Sequence, residues 1–164
     1  MHREHDQMRR IARMALIIGI SAFGTAATAA TPAVDPGDSG PPIHFAAKLS
    51  SDEEVPPVDG NATGTADFML ERKGLKLTWK VDLKGLSGPP TQVYVHGPER
   101  PGGNAPMVIN LAPNGVKGSI TGSQTIDELQ LSYFLTQRVY VNVHTAKFKD
   151  GEVRGQIERI APGK

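Results

Sequence analysis

The chain has 164 residues and a mass of 17.5 kDa, enough for one domain with a core and too little for two ordinary ones. It carries no cysteine but 18 Gly and 13 Pro, which excludes disulfide scaffolds, thiolate metal sites and cysteine nucleophiles and suits a turn-rich β-domain. A formal charge of +1 gives no electrostatic footprint for nucleic acid or an anionic membrane, so any chemistry must come from His, carboxylate, Tyr or backbone groups.

Arg3, Arg9, Arg10 and Arg13 precede an apolar run from Met14 to Phe23, and small residues follow with Ala27 and Ala29 at a cleavage spacing. A basic region, a short apolar region and such a site make residues 1–29 a secretory signal peptide. The apolar run is about half of the roughly twenty residues that a spanning helix needs, so no membrane span is expected after cleavage. Without the four Arg and two acids of this segment, the 18 basic and 17 acidic side chains fall to 14 and 15. An exported chain without cysteine suggests a periplasmic or secreted protein of the bacterial envelope that folds without oxidation. Residues 30–42, rich in Pro, Gly, Asp and Ser, read as a flexible linker. Residues 43–160 form the expected domain, and 161–164 a tail.

Within the domain the chain reads as strands. Ile43 to Leu49 and Ala62 to Leu70 come first, separated by the turn-rich Glu54-Val-Pro-Pro-Val-Asp-Gly60. After a hairpin turn at Glu71–Gly74, Leu75, Leu77, Trp79, Val81 and Leu83 alternate with Lys76, Thr78, Lys80, Asp82 and Lys84. That period of two predicts a strand with one buried and one solvated face. Thr91–His96, Met107–Leu111, Val116–Thr121, Arg138–Thr145 and Glu152–Ile160 bring the set to about eight strands. Thr125–Gln137 alone has helical character, with Ile126, Leu129, Tyr133 and Phe134 at three- and four-residue steps. The expectation is an all-β, antiparallel, Greek-key-like β-sandwich with one short helix.

Two strands carry the candidate site. Val93 and Val95 on one, and Val139, Val141 and Val143 on the other, should face the core. Tyr94 and His96 then share the opposite face of their strand, and Tyr140, Asn142 and His144 that of theirs. If the strands are neighbours, His96 and His144 come together on an outer, solvent-accessible wall where a metal can reach them. The plainer alternative is a pair of hydrogen-bonding histidines without a metal. No nucleophile elbow, phosphate loop, dinucleotide fingerprint or zinc-protease motif is present. Asp52, Glu53, Glu54, Asp59 and Asn61 could contact calcium, but their spacing fits no EF-hand and a solvated acidic loop is the expected reading. Asn61-Ala-Thr63 is a glycosylation sequon without meaning in a bacterial host, and His44 stands alone.

A family resemblance rests on Phe45–Val58 with its Glu-Val-Pro-Pro-Val, Ala62–Ala66, Leu83–Leu86, Val95-His-Gly-Pro98, Tyr140-Val-Asn-Val-His-Thr145 and Gly151-Glu-Val-Arg-Gly-Gln156. These segments, in this order from about 43 to 160, resemble the CHRD (chordin-type) domain of exported proteins. The resemblance implies an extracellular location more readily than an activity. Where the family usually carries His-x-His-Gly, this chain has Tyr94-Val95-His96-Gly97. A His-x-His pair with a distant third His is similar to the copper-ligand pattern of copper–zinc superoxide dismutase. By that likeness His96 and His144 are the ligands that remain, and Tyr94 stands in place of the first. Tyr140, Asn142 and Arg154 would support them. Imidazole suits copper, whereas a phenol must first lose its proton.

Three readings follow. The foremost is a metal-binding protein of copper type in the periplasm or medium, with copper as its one expected cofactor. The second is a non-catalytic module that binds another envelope or matrix protein. The third is a superoxide dismutase-like copper enzyme, which lacks the full histidine set and the cysteines that such an enzyme uses. Binding is therefore expected rather than catalysis.

Overall fold

Alternating apolar and polar residues ask for strands that bury one face, and β-strands dominate the described residues. The computed structural model describes residues 39–116 and 119–161, so the signal peptide and most of the 30–42 linker lie outside the described residues. The strands are Ile43–Ser50 (β1), Thr63–Glu71 (β2), Lys76–Lys84 (β3), Pro90–His96 (β4) and Met107–Asn110 (β5), followed by Ile120–Thr125 (β6). After the helix Glu128–Leu135 (α1) come Tyr140–Thr145 (β7), Val153–Gln156 (β8) and Glu158–Arg159 (β9).

All pairings are antiparallel, in the order β5-β4-β7-β8-β1-β2-β3-β6, with β9 also on β1. β6 pairs with β3 while the β4–β5 hairpin between them in sequence crosses to the far end, which is the expected Greek-key-like connection. The sheet curls over one core, into which Phe45, Phe68, Leu70 and Leu77 project from one half and Val93, Val95, Val141 and Val143 from the other. On β3, Leu77 and Trp79 are buried and Lys76 and Lys80 exposed, as the alternation requires. The Trp79 indole N–H donates to the Leu111 carbonyl at 3.0 Å. Gly122 is its cross-strand partner, and a Cβ there would strike the indole ring.

The helix starts where its sequence says. The Asp127 side chain accepts from the Gln130 amide at 2.7 Å and the Gln130 side chain accepts from the Asp127 amide at 3.1 Å, a closed capping box. Its buried Phe134 meets Phe45 and Phe68 edge-on, with centroids 5.4 and 5.8 Å apart.

Two strand boundaries differ from expectation. The strand read as Val116–Thr121 runs instead over Ile120–Thr125, because Gly115 at φ 78° holds a turn before it; Lys117 and Gly118 lie outside the described residues. The last strand is split at Ile157, whose side chain is buried and whose N–H donates to the Val139 carbonyl at 2.9 Å. Val153–Gln156 therefore stay with β7, and Glu158–Arg159 move over to β1. This division makes the strands nine among the described residues, rather than about eight.

Candidate metal centre

β4 and β7 are neighbours, with Gln92 opposite His144, Tyr94 opposite Asn142 and His96 opposite Tyr140. The two histidines are thus offset along the ladder rather than face to face. Their ring centroids are 6.2 Å apart, and the Tyr94 ring meets them edge-on at 5.8 Å from His96 and 5.5 Å from His144. The structure brings all three sequence-predicted residues together.

The wall they occupy is closed on the β7 side, while Tyr94 and His96 on β4 are half-buried and Gln92 is exposed. Every residue of β7 is buried, including Asn142 and His144 at 5% and 8% exposure. Three connections cover it. Ala105, in the β4–β5 loop, accepts from His96 Nδ1 at 2.9 Å and donates its N–H to the Tyr140 hydroxyl at 3.0 Å. In the β7–β8 loop, the Lys149 carbonyl accepts from His144 Nδ1 at 2.7 Å. The segment after β1 supplies Glu54, which accepts from the Asn142 amide at 3.3 Å. Strand parity places side chains on a face but carries no information about loops that fold over it.

These contacts fix the imidazole chemistry. A carbonyl oxygen can only accept, so Nδ1 carries a hydrogen in both rings, and in a neutral ring Nε2 then presents the lone pair. Both Nε2 atoms are buried without a hydrogen-bond partner. Buried polar atoms are nearly always satisfied, so these lone pairs leave a place for a hydrogen-bond donor or a cation, as do the unpartnered Glu54 Oε1 and Asn142 Oδ1 near them. Burial pushes the His96 pKa down; its bond to Ala105 opposes this, and the positive charges available at His144 and Arg154 add to it. The ring therefore stays neutral at neutral pH and able to ligate.

Arg154, Tyr140 and His96 form a stack. The guanidinium carbon lies 3.5 Å from the Tyr140 centroid, and Tyr140 lies nearly parallel to His96 at 5.2 Å and 10°. Arg154 is itself buried, donating to Asn104 Oδ1 at 2.9 Å and to the Gly103 carbonyl at 2.5 Å. Asn104 in turn donates to the Val55 carbonyl at 3.0 Å. The three residues expected to support the site, Tyr140, Asn142 and Arg154, thus lie beside it, tied to the covering loops.

Two buried acids escaped the sequence reading. Glu54, taken with Asp52 and Glu53 as part of a solvated acidic loop, is 5% exposed while those two neighbours are exposed. Burial raises its pKa from 4.5 to about 7, against the opposing pull of Arg154 and the Asn142 and Val55 hydrogen bonds. Glu152 is buried too, but hydrogen bonds from Thr145 and Ser87 outweigh the desolvation that would raise its pKa and leave it lowered. Ser87 contributes its amide at 2.6 Å and its hydroxyl at 2.7 Å, and Thr145 its hydroxyl at 2.6 Å. Charge pattern could not single these acids out; their place in Glu-Val-Pro-Pro-Val and Gly-Glu-Val-Arg-Gly-Gln could have. Among the described residues, no three His, Cys, Asp or Glu side chains are grouped to hold a metal.

A curled antiparallel sandwich with a covered histidine–arginine cluster on one sheet face is the class of protein defined so far. The CHRD domain family matches residues 45–157, and the chain belongs to that family. CHRD domains are typical of extracellular or secreted proteins, and no helix among the described residues is long and apolar enough to cross a membrane. No curated protein and no solved structure matches the chain.

Proposed function

We propose that this protein is an exported metal-binding CHRD protein of copper type, in which His96 and His144 donate Nε2 to the ion and Tyr94 borders it. The observation that carries the reading is the pair of buried, unpartnered Nε2 atoms, each oriented by an Nδ1–H bond to a backbone carbonyl. This is the outer-shell arrangement by which metal-binding imidazoles are held in one tautomer. The ring centroids, 6.2 Å apart, are close enough for one ion to bond both rings if their Nε2 atoms turn toward it, since two metal–nitrogen bonds of about 2 Å and two ring radii of about 1 Å span roughly 6 Å. Residues 1–29 direct export to the periplasm or medium in this reading, leaving a mature N-terminus at Ala30 or Thr31 that N-terminal sequencing of envelope protein would reveal.

The reading is of binding, for storage, delivery or protection. A dismutase-like cycle asks for a fuller imidazole set than these two rings. Elemental analysis of protein purified from copper-supplemented cells, with His144→Ala beside it, tests the proposal. Stoichiometric copper in the wild type, lost in the variant, is expected. Equal, trace metal in both refutes it and leaves a module that binds an envelope or matrix protein.

A further inference from the structure

We infer that the site selects the monovalent ion, Cu(I), over Cu(II) and Zn(II), and that Tyr94 sets this preference by standing where a third imidazole would recruit a divalent ion. The inference rests on the metal-binding reading above and names its ion. Three observations support it, from ligand number, charge and the third ring.

Two neutral nitrogen donors satisfy a monovalent d10 ion, whereas zinc takes four ligands in nearly all structural sites and three protein ligands plus water in catalytic ones. The two Nε2 atoms are the unpartnered nitrogens here; Glu54 Oε1 and Asn142 Oδ1 are buried and unpartnered too, and lie together beside Gly151. Glu152 spends its oxygens on Ser87 and Thr145, and no third His, Cys, Asp or Glu joins the pair among the described residues.

Charge points the same way. The desolvation cost of a buried ion rises with the square of its charge, and an anionic ligand is the usual compensation. The fixed charge stacked toward the site is a cation, Arg154, reaching His96 through the Tyr140 ring. Glu54 accepts from Asn142 through one oxygen and is not grouped with the imidazoles as a third ligand. A second positive charge on the ion therefore meets that cation with no carboxylate grouped with the two rings to offset it among the described residues.

Tyr94 completes the argument. Its ring closes the third side of the histidine pair at 5.8 and 5.5 Å, edge toward each imidazole. It occupies the position two residues before His96 from which a side chain on the same strand face can reach both rings.

The test is competition for the metal alone, under anaerobic reductant with bicinchoninate for Cu(I), and with nitrilotriacetate for Cu(II) and Zn(II). Wild type, Tyr94→His, Tyr94→Phe and His144→Ala are compared, with circular dichroism to confirm folding. Wild type should hold one Cu(I) at least about a hundredfold more tightly than Zn(II), Tyr94→Phe should match it, and Tyr94→His should gain about tenfold or more for Cu(II). Wild-type binding of Cu(II) or Zn(II) as tight as that of Cu(I), with His144 dependence kept, overturns the selectivity and spares metal binding. A tenfold loss of Cu(I) in Tyr94→Phe makes the phenol a ligand and likewise overturns the inference. If no ion binds in a His144-dependent way, both this inference and the metal-binding reading fall. Should Tyr94→His not fold, the wild-type and Tyr94→Phe affinities still decide.

Discussion

Replacing Glu54 with Gln should change how stability depends on pH far more than it changes the structure. Gln keeps the oxygen that accepts from Asn142 Nδ2 at 3.3 Å and mimics the protonated acid, but it cannot ionise. In the folded protein the Glu54 pKa is raised from 4.5 to about 7 by burial, with Arg154, Asn142 and Val55 opposing the rise. Between those two values the native state binds a proton that the unfolded chain has released, so wild-type stability falls as pH climbs through this window and levels off above it. At about 1.4 kcal/mol per unit, the loss is about 3 kcal/mol. His96 acts in the opposite sense: its pKa is depressed by burial, so stability drops as pH falls below its unfolded value. The variant retains His96, and that contribution cancels in the difference between the two proteins. Urea denaturation at intervals from pH 4.5 to 8.5 should show Glu54→Gln gaining on the wild type by about 3 kcal/mol up to about pH 7 and holding that gain above it. Parallel profiles, or a difference that shrinks toward high pH, would refute the picture of Glu54 as a buried acid reluctant to ionise.

Leu77→Ala should cost about 2–5 kcal/mol in the same assay, since its side chain is fully buried, while Lys76→Ala on the opposite face of β3 stays within error; equal effects would remove the assignment of faces. Gly155→Ala should be among the most damaging single-carbon additions, about 3 kcal/mol by urea midpoint, because the added Cβ would run into the Lys48 backbone carbonyl of β1. His144→Ala should lower stability by about 1–3 kcal/mol even without metal, since it removes a buried ring and its bond to Lys149. A silent His144→Ala would mean that the wall is open, as strand parity alone suggested.

The sequence made β3 legible because its two faces meet different solvents, and alternation is the imprint of that difference. The helix was legible through Asp127 and the spacing of its apolar residues. β7 shows where such reading stops. Tyr140, Asn142 and His144 alternate with valines as though facing water, yet loops from residues 54, 103–105 and 149–150 cover them. Those contacts join positions up to 88 residues apart, and no local pattern encodes them. The imidazole pair could be placed on one face from parity and the family motifs; its burial and the tautomer of each ring needed the loops. Glu54 was missed for the same reason, since beside Asp52 and Glu53 it has the composition of a surface.

The split at Ile157 has a consequence for the time course of folding. β1 is seamed on one side by Ser50 with Arg154 and by Phe45 and Ala46 with Arg159 and Glu158, so the beginning of the domain waits for its end. Loops this long must close before their contacts return any free energy, which slows folding and leaves the nascent chain open until nearly the last residue has emerged. The histidine pair inherits that delay: His144 lies on β7, which pairs with β8, and its ring is held by the Lys149 carbonyl from the loop between them, so the wall is completed only when the end of the domain is in place.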